Sequence, residues 1–201
     1  EGIPVKGIEV VGIRHLREVC DYHRGKPVNP PPTPADVEVS IHHSCLSDVK
    51  GQLQAKRALE ISAAGYHNLL FIGPPGSGKS MLATRLPGLL PPLSGDEMLE
   101  VSSIHSVAGL LNAEVPLKRY PPFRTPHHSI SYAGLVGGGS AIPRPGEITL
   151  SHRGVLFLDE LPEFRRDALE VLRQPMETGY IYISRSVNCS IFPARFLLVA
   201  G

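Results

Sequence analysis

The sequence predicts an α/β fold in which a parallel sheet carries helices on both of its faces. Three short apolar runs predict strands of that sheet: LLFI at 69–72, VLFL at 155–158 and FLLVA at 196–200. Apolar runs without polar interruption are typical of strands that are covered on both faces. Helix-forming stretches separate the runs, and this alternation favours a parallel sheet. The third observation is a glycine-rich segment, GPPGSGKS at 73–80, directly after the first run.

The sequence before this glycine-rich segment predicts three parts: a small module, a linker and a helix. Residues 3–12 predict a strand or an extended segment, and residues 13–24 place their apolar side chains on one face of a helix that Gly25 ends. The following KPVNPPPTPAD, at 26–36, is typical of a stiff linker. We therefore expect residues 1–35 to be the remnant of a preceding module, and residues 36–201 to be the core domain. A helix over residues 51–64, stopped by Gly65, opens that domain.

Capping residues and prolines predict the elements in the middle of the chain. A helix begins near Gly78 and ends by residue 86, because Pro87 cannot continue it. Ser94 and Glu97 form a capping box, which predicts a helix that reaches residues 105–107. Residues 108–153 are loop-rich and mostly polar.

Periodicity predicts the elements near the end of the chain. Residues 162–177 favour a helix with Leu169, Leu172 and Met176 facing inward. Arg165, Arg166 and Arg173 then face outward. Residues 180–185 and 190–195 alternate as the two strands of a hairpin do.

The glycine-rich segment matches G-x-x-x-x-G-K-[ST], a pattern that predicts binding of a nucleoside triphosphate. Its glycines permit a backbone path on which several N–H groups point at phosphate. Lys79 can reach the β- and γ-phosphates, and the Ser80 hydroxyl can ligate Mg²⁺. The predicted nucleotide-binding residues are Gly73, Pro74, Pro75, Gly76, Ser77, Gly78, Lys79, Ser80 and Met81.

Two acids follow the second apolar run and complete the predicted site. Asp159 emerges at the carboxyl end of its strand, where open α/β sheets place their ligands, and there it can hold Mg²⁺ together with Ser80. Glu160 is placed to polarise an attacking water, as hydrolysis requires. We therefore predict ATP and Mg²⁺ as cofactors, with Lys79 and Glu160 as catalytic residues.

Composition excludes several classes of protein. The formal net charge is +1, and 42% of the residues are hydrophobic. Three cysteines without paired spacing argue against a disulfide framework or a zinc site and favour the cytoplasm. No apolar stretch approaches the length of a membrane span, and no signal peptide opens the chain.

Several segments together resemble one family of ATPases. SDVKGQLQAKRALEISAAG resembles the nucleotide-base box of AAA+ ATPases. RLPGLLPPL, SSIHSVAGL, PFRTPHH, LVGGGS, PRPGEITLSHRGVLFLDELPEF, LRQPMETG and FPARFLLVA together resemble the ComM/YifB family of Mg-chelatase-like AAA+ proteins. This resemblance covers residues 40–201, and residues 1–30 resemble the end of the Lon-protease-like domain that precedes the ATPase in that family.

The resemblance implies a homo-hexameric ring motor that hydrolyses ATP and acts on DNA, as in branch migration during natural transformation. It also implies an insert in the second helix of the P-loop fold and a hairpin before the sensor strand. In the family, the sensor asparagine, the arginine finger and the C-terminal helical lid follow the last strand seen here. We therefore expect the lid to be missing and the chain by itself to be inactive.

A basic segment at 101–153 and the 180–195 hairpin are the predicted DNA contacts. The segment holds five basic residues against two acidic ones. Its charge could equally belong to a solvated loop. Two other functions remain open: a chelatase-type motor subunit that acts on a protein partner, and a nucleotide-gated assembly module without turnover. The basic and histidine side chains of the segment are Lys118, Arg119, Arg124, Arg144, Arg153, His105, His127, His128 and His152.

Overall fold

The computed structural model describes residues 11, 13, 15–26, 45–111, 117–139, 143–184 and 189–201. The chain divides into two compact units, Glu1–Ile41 with Asn112–Leu117, and His42–Leu111 with Lys118–Gly201. In the first unit, helix α1 (Leu16–His23) ends at Arg24, and Gly25 has a φ of 72°. The helix predicted there is thus confirmed. The strand at 3–12 and the proline-rich linker fall almost entirely outside the described residues, and the domain boundary near residue 35 stays a prediction.

The second unit alternates short helices and strands. In chain order these are α2 (Leu53–Gly65), β1 (Leu69–Leu70), α3 (Lys79–Ala83), α4 (Gly95–Val107), β2 (Phe123–Arg124), α5 (Tyr132–Val136), β3 (Gly137–Gly138), β4 (Arg144–Pro145), α6 (Glu147–Leu150), β5 (Val155–Leu158), α7 (Arg166–Glu170), α8 (Arg173–Thr178), β6 (Tyr180–Ser184), β7 (Cys189–Pro193) and β8 (Leu197–Ala200). Single 3₁₀ turns lie at Leu46–Asp48, Leu86–Leu89 and Leu161–Glu163.

A parallel sheet with the strand order β1-β8-β5-β2 forms the centre of this unit. The last strand of the chain therefore lies between the strand that precedes the glycine-rich segment and the strand that precedes Asp159. In a parallel sheet, the carboxyl ends of all strands lie at one edge. This order places the ends of β1 and β5 on either side of β8, and the predicted α/β fold is confirmed.

Side chains that alternate along β5 enter two separate cores. Val155 and Phe157 pack with Leu59 of α2 and Leu82 of α3 on one face of the sheet. Leu156 and Leu158 pack on the other face, because successive residues of a strand point to opposite sides. The partners on that second face come from α5, α6, α7 and β6, among them Leu135, Ile148, Ala168 and Ile181. Helices therefore cover both faces, as predicted.

The prediction that residues 108–153 are mostly loop is wrong in part. This segment contributes β2, an edge strand of the central sheet, and the helices α5 and α6. Leu135 and Ile148 are fully buried. These elements are two to five residues long, so none of them contains the repeated period by which a sequence reveals a helix or strand.

Three helices differ from their predicted lengths. The helix α3 ends at Ala83, before a 3₁₀ turn that contains Pro87. The helix α2 includes Gly65, and Tyr66 takes the left-handed conformation after it at φ 53°. The single helix expected over residues 162–177 is divided into a 3₁₀ turn, α7 and α8. As a result Met176, which was expected inward, has 47% of its surface exposed.

The capping box and the hairpin are confirmed. Ser94 caps α4 by accepting a hydrogen bond from the backbone N–H of Glu97, and the Glu97 carboxylate accepts one from the N–H of Ser94. Strands β6 and β7 pair in antiparallel register, with Tyr182 opposite Ile191. Among the described residues, no helix is both long enough and apolar enough to cross a lipid bilayer.

Candidate functional site

The glycine-rich loop wraps one side of a cavity of about 320 Å³ at the carboxyl end of the sheet. Gly76 and Gly78 have φ values of 77° and 88°, which side chains other than glycine rarely adopt. Asp159 and Glu160, which follow β5, complete the lining. The lining consists of Pro75, Gly76, Ser77, Gly78, Lys79, Ser80, Met81, Asp159 and Glu160.

Lys79 holds the loop closed at its base. Its Nζ donates to the carbonyl oxygen of Gly73 at 3.0 Å and lies 3.4 Å from that of Pro74. Gly73 and Pro74, both predicted nucleotide ligands, thus contact the lysine and are not part of the cavity lining. An ammonium that is held by neutral carbonyls keeps its charge available for an anion that enters the cavity.

Ser80 and Asp159 lie side by side in the cavity lining, although they are 79 positions apart in the chain. The Ser80 hydroxyl donates to Asp159 Oδ2 at 2.6 Å, and Asp159 Oδ1 accepts from the backbone N–H of Glu160 at 3.1 Å. A hydroxyl beside a carboxylate on a cavity wall suits Mg²⁺, which binds few protein oxygens and completes its shell with water and phosphate. These two residues thus fit the predicted metal.

Glu160 projects its carboxylate at the mouth of the cavity. Its backbone is left-handed at φ 56°, and 67% of its side chain is exposed. The neighbouring Leu161 N–H donates to the Gly201 carbonyl at 2.9 Å, which ties this turn to the end of β8. The side chain itself lies 3.4 Å from the Nδ1 atom of His128.

Two side chains that contact residues of the cavity lining were not predicted to do so from the sequence. The Gln52 amide donates to the Ser77 carbonyl at 3.1 Å and so braces the loop from the start of α2. His128, which follows β2, reaches Glu160. Neither stands in a recognisable spacing from the glycine-rich segment, so only the fold brings them together with it. Ser77 Oγ is buried without a hydrogen-bond partner among the described residues.

Two of the five basic side chains in the 101–153 segment predicted for DNA contact are paired within the domain. Arg124 makes two 2.6 Å hydrogen bonds to the Glu147 carboxylate, and this bonding raises the pKa of Arg124. Arg153 lies 3.2 Å from Glu97 and 3.3 Å from Glu100.

The two histidines nearest to these pairs are buried. Burial lowers the pKa of His105, whose Nε2 lies 3.1 Å from the Leu150 carbonyl oxygen. Burial also lowers the pKa of His152, although a Glu100 carboxylate oxygen lies 3.0 Å from its Nε2. These side chains stabilise the domain and are not available to a partner.

The family model "Magnesium chelatase, subunit ChlI" matches residues 45–201. The YifB protein of Escherichia coli is 57% identical over 190 residues, which cover 93% of this chain and 37% of YifB. The competence protein ComM of Haemophilus influenzae is 59% identical over 157 residues, which cover 78% of this chain and 30% of ComM. The chain thus spans about a third of the length of these relatives.

A solved structure with the same architecture is the complex between the magnesium chelatase subunits BchI and BchD. It superposes with a TM-score of 0.60 at 27% identity, over 77% of this chain and 53% of the matched one.

Proposed function

This chain belongs to the family of the magnesium chelatase subunit ChlI, with YifB and ComM proteins among its relatives, and we propose that it is the ATP-hydrolysing core of a ring motor that acts on DNA. Its fold is that of the AAA+ ATPases. The observation that carries the proposal is the convergence of Lys79, Ser80, Asp159 and Glu160 on one cavity.

Each side chain has a distinct task in the proposed reaction. Lys79 exchanges the Gly73 carbonyl for the β- and γ-phosphates, where a charge-assisted contact is stronger than a neutral one. Ser80 and Asp159 hold Mg²⁺, which would neutralise phosphate charge. Glu160 accepts the proton of the attacking water, because its carboxylate is exposed at the mouth of the cavity.

The proposed contact with DNA rests on the β6–β7 hairpin and on exposed arginines. Tyr180 and Tyr182 stand on one face of β6 with 40% and 47% of their surfaces exposed, and Ile191 opposite is 57% exposed. Aromatic side chains on such a face can stack on the bases of a single strand. Arg144 on β4 is exposed and could bind phosphate, whereas Arg124 and Arg153 are held in ion pairs. The hairpin is therefore the stronger of the two predicted DNA regions.

Assembly into a homo-hexamer in the cytoplasm completes the proposal. A related structure is a complex between two magnesium chelatase subunits, BchI and BchD. An association of this kind would let a neighbouring subunit supply a cation to the mouth of the cavity, where arginine fingers accelerate hydrolysis by about 10³–10⁵-fold.

A second candidate is a motor subunit that acts on a protein partner. The family model and the BchI–BchD complex favour it, since that complex joins two protein subunits. A nucleotide-gated module without turnover is the third possibility, and the exposed Glu160 carboxylate argues against it.

The decisive experiment measures ATP turnover by the full-length protein with and without single-stranded or branched DNA. We expect turnover that DNA stimulates and that Glu160→Gln reduces by about 10²–10⁴-fold without loss of ATP binding. Glu163→Gln is the matched control, because Glu163 lies outside the cavity lining. Turnover that DNA leaves unchanged would favour the protein-directed motor, and no turnover under any condition would favour the assembly module.

A further inference from the structure

The Gln52 side chain contacts the glycine-rich loop from outside the cavity. Its Nε2 donates to the Ser77 carbonyl oxygen at 3.1 Å, although the two residues are 25 positions apart in the chain. Ser77 and Gly78 belong to the cavity lining, whereas Gln52 does not. The Ser77 carbonyl therefore points away from the cavity, toward the start of α2.

The direction of this carbonyl sets the direction of one N–H group. The peptide bond that joins Ser77 to Gly78 is planar and trans, so its C=O and N–H bonds point in opposite directions. With the Ser77 carbonyl held toward α2, the Gly78 N–H faces the cavity that Gly78 lines. There it can donate to an anion, and a hydrogen bond to a charged acceptor is stronger than one between neutral groups.

The same peptide could turn over if nothing held it. Gly78 has a φ of 88°, and glycine adopts a φ of the opposite sign about as readily. The Ser77 N–H donates to the Pro74 carbonyl at 3.3 Å, but this bond restrains the preceding peptide and not the one that follows. In the turned-over loop, the Ser77 carbonyl oxygen would face the phosphate oxygens and repel them. Tight binding therefore needs a contact that selects one orientation of this peptide.

Gln52 is itself firmly placed. Its carbonyl accepts from the Lys56 N–H at 2.9 Å in the first turn of α2, and Val49 and Leu59 anchor the chain on either side in the same buried core. Its backbone is left-handed at φ 53°, a conformation that glycine adopts freely and other residues adopt at a cost. A glutamine at such a position favours a use for its side chain.

We propose that Gln52 is a positioning residue that holds the Ser77–Gly78 peptide with its N–H toward the phosphates of the bound nucleotide. This inference rests on the proposed function, in which the cavity binds ATP. The Gln52 amide touches neither base, ribose nor phosphate. It acts through the backbone of the loop, so it raises the affinity for any ligand that carries the polyphosphate.

The test measures the dissociation constant of ATP with Mg²⁺ by calorimetry, in the full-length protein. Gln52→Met removes the donor at nearly constant side-chain length. We expect the Kd to rise by about 10-fold, as for the loss of one hydrogen bond to a charged group. Gln54→Met is the matched control on the same helix, at an exposed position, and should leave the Kd within about twofold. Gln52→His places the ring Nε2 as many bonds from Cα as the amide nitrogen, and it should restore most of the affinity.

Inorganic tripolyphosphate separates this role from recognition of the base. Because it has no base or ribose, its affinity should fall in Gln52→Met by about the same factor as that of ATP. An unchanged Kd for tripolyphosphate would overturn the positioning role, as would an unchanged Kd for ATP, an equal loss in Gln54→Met or no recovery in Gln52→His. Urea unfolding without nucleotide should give the same midpoint for Gln52→Met and Gln54→Met. A lower midpoint in Gln52→Met alone would assign Gln52 to the stability of the fold instead.

Lys79→Ala separates failure of the inference from failure of the proposed function. If Lys79→Ala loses ATP binding while Gln52→Met retains it in full, the nucleotide site stands and only the role of Gln52 is overturned. If Lys79→Ala also binds ATP as the unchanged protein does, the nucleotide site itself is overturned.

Discussion

Lys79 shows how a single residue of the cavity changes partners. In the structure the carbonyl dipoles of Gly73 and Pro74 hold its ammonium group. A triphosphate offers a full charge in the same place, so the exchange favours binding. In the proposed function, the lysine therefore both closes the free loop and provides the main attraction for the nucleotide.

Lys79→Ala should abolish nucleotide binding, because no other lysine lines the described cavity. Isothermal calorimetry with ATP and Mg²⁺ would measure the effect. Lys118→Ala removes a lysine that is not part of the lining and should bind as the unchanged protein does. Equal affinity in Lys79→Ala would contradict the assignment of the loop.

The buried histidines predict how stability depends on pH. Burial lowers the pKa of His105 and His152 below the ordinary 6.5, so between the lowered pKa and about 6.5 the unfolded chain binds more protons than the folded one. Stability should therefore be fully present above this range and fall as the pH drops through about 6.5, by up to about 1.4 kcal/mol per pH unit for each histidine.

Urea unfolding between pH 5 and 7.5 would measure that slope. His152→Gln should flatten the slope, because glutamine does not titrate. The amide oxygen can still accept from the Arg195 N–H, which His152 Nδ1 satisfies at 3.0 Å, so the fold should be retained. His67→Gln, at an exposed histidine, should leave the slope as it is. If His152→Gln does not change the slope, the His152 imidazole binds the same number of protons in the folded and the unfolded chain.

At the scale of elements, short pieces acquire their stability from caps and from neighbours. The helix α4 has both a complete capping box and two acids in its first turn, Asp96 and Glu97, where the helix dipole favours negative charge. The helices α5 and α6 are far shorter. The first has a serine cap without a first-turn acid, the second has a first-turn acid without a side-chain cap, and both depend on the burial of Leu135 and Ile148. This contrast explains why α4 was predictable and the other two were not.

Ser94→Ala should lower the free energy of unfolding by about 1 kcal/mol, because it leaves the Glu97 N–H without its acceptor. Chemical denaturation at neutral pH would measure the loss. Ser106→Ala, at an exposed position near the other end of α4, provides the comparison and should cost less. Equal effects of the two changes would mean that the cap contributes nothing at this helix.

At the scale of the whole second unit, the sheet separates two cores, and the glycine-rich loop of the candidate site lies on the side of one of them. Leu82 and Ala83 of α3 pack with Phe157 and Val199 beneath the glycine-rich loop. The hairpin and α5–α7 pack on the opposite face. Packing on the first face therefore supports the loop, while the second face supports His128 through Phe164 and carries the proposed DNA contact.

Phe157→Ala tests the first of these cores. Phe157 is 1% exposed and stacks on Phe123 with the ring centroids 6.2 Å apart. Its removal should cost about 3–5 kcal/mol of unfolding free energy, from lost transfer energy and the cavity left behind. Ile61→Ala, at a half-exposed position on α2, should cost far less. A small loss in Phe157→Ala would indicate that the core relaxes around the vacancy.

The sequence by itself determined the glycine-rich loop, the place of Asp159 and Glu160 after their strand, the three apolar strands and the capping box of α4. Each of these is encoded in a few consecutive residues, where backbone freedom, hydrophobic runs and hydrogen-bonding caps act locally. The tertiary structure alone decided that β8 lies between β1 and β5, that β2 joins the sheet, and that His128 meets Glu160. It likewise decided that Arg124 and Arg153 form ion pairs within the domain, although the sequence predicted that their charges could contact DNA. Such contacts join residues that are distant in the chain, so the energies that select them appear only once the elements have packed.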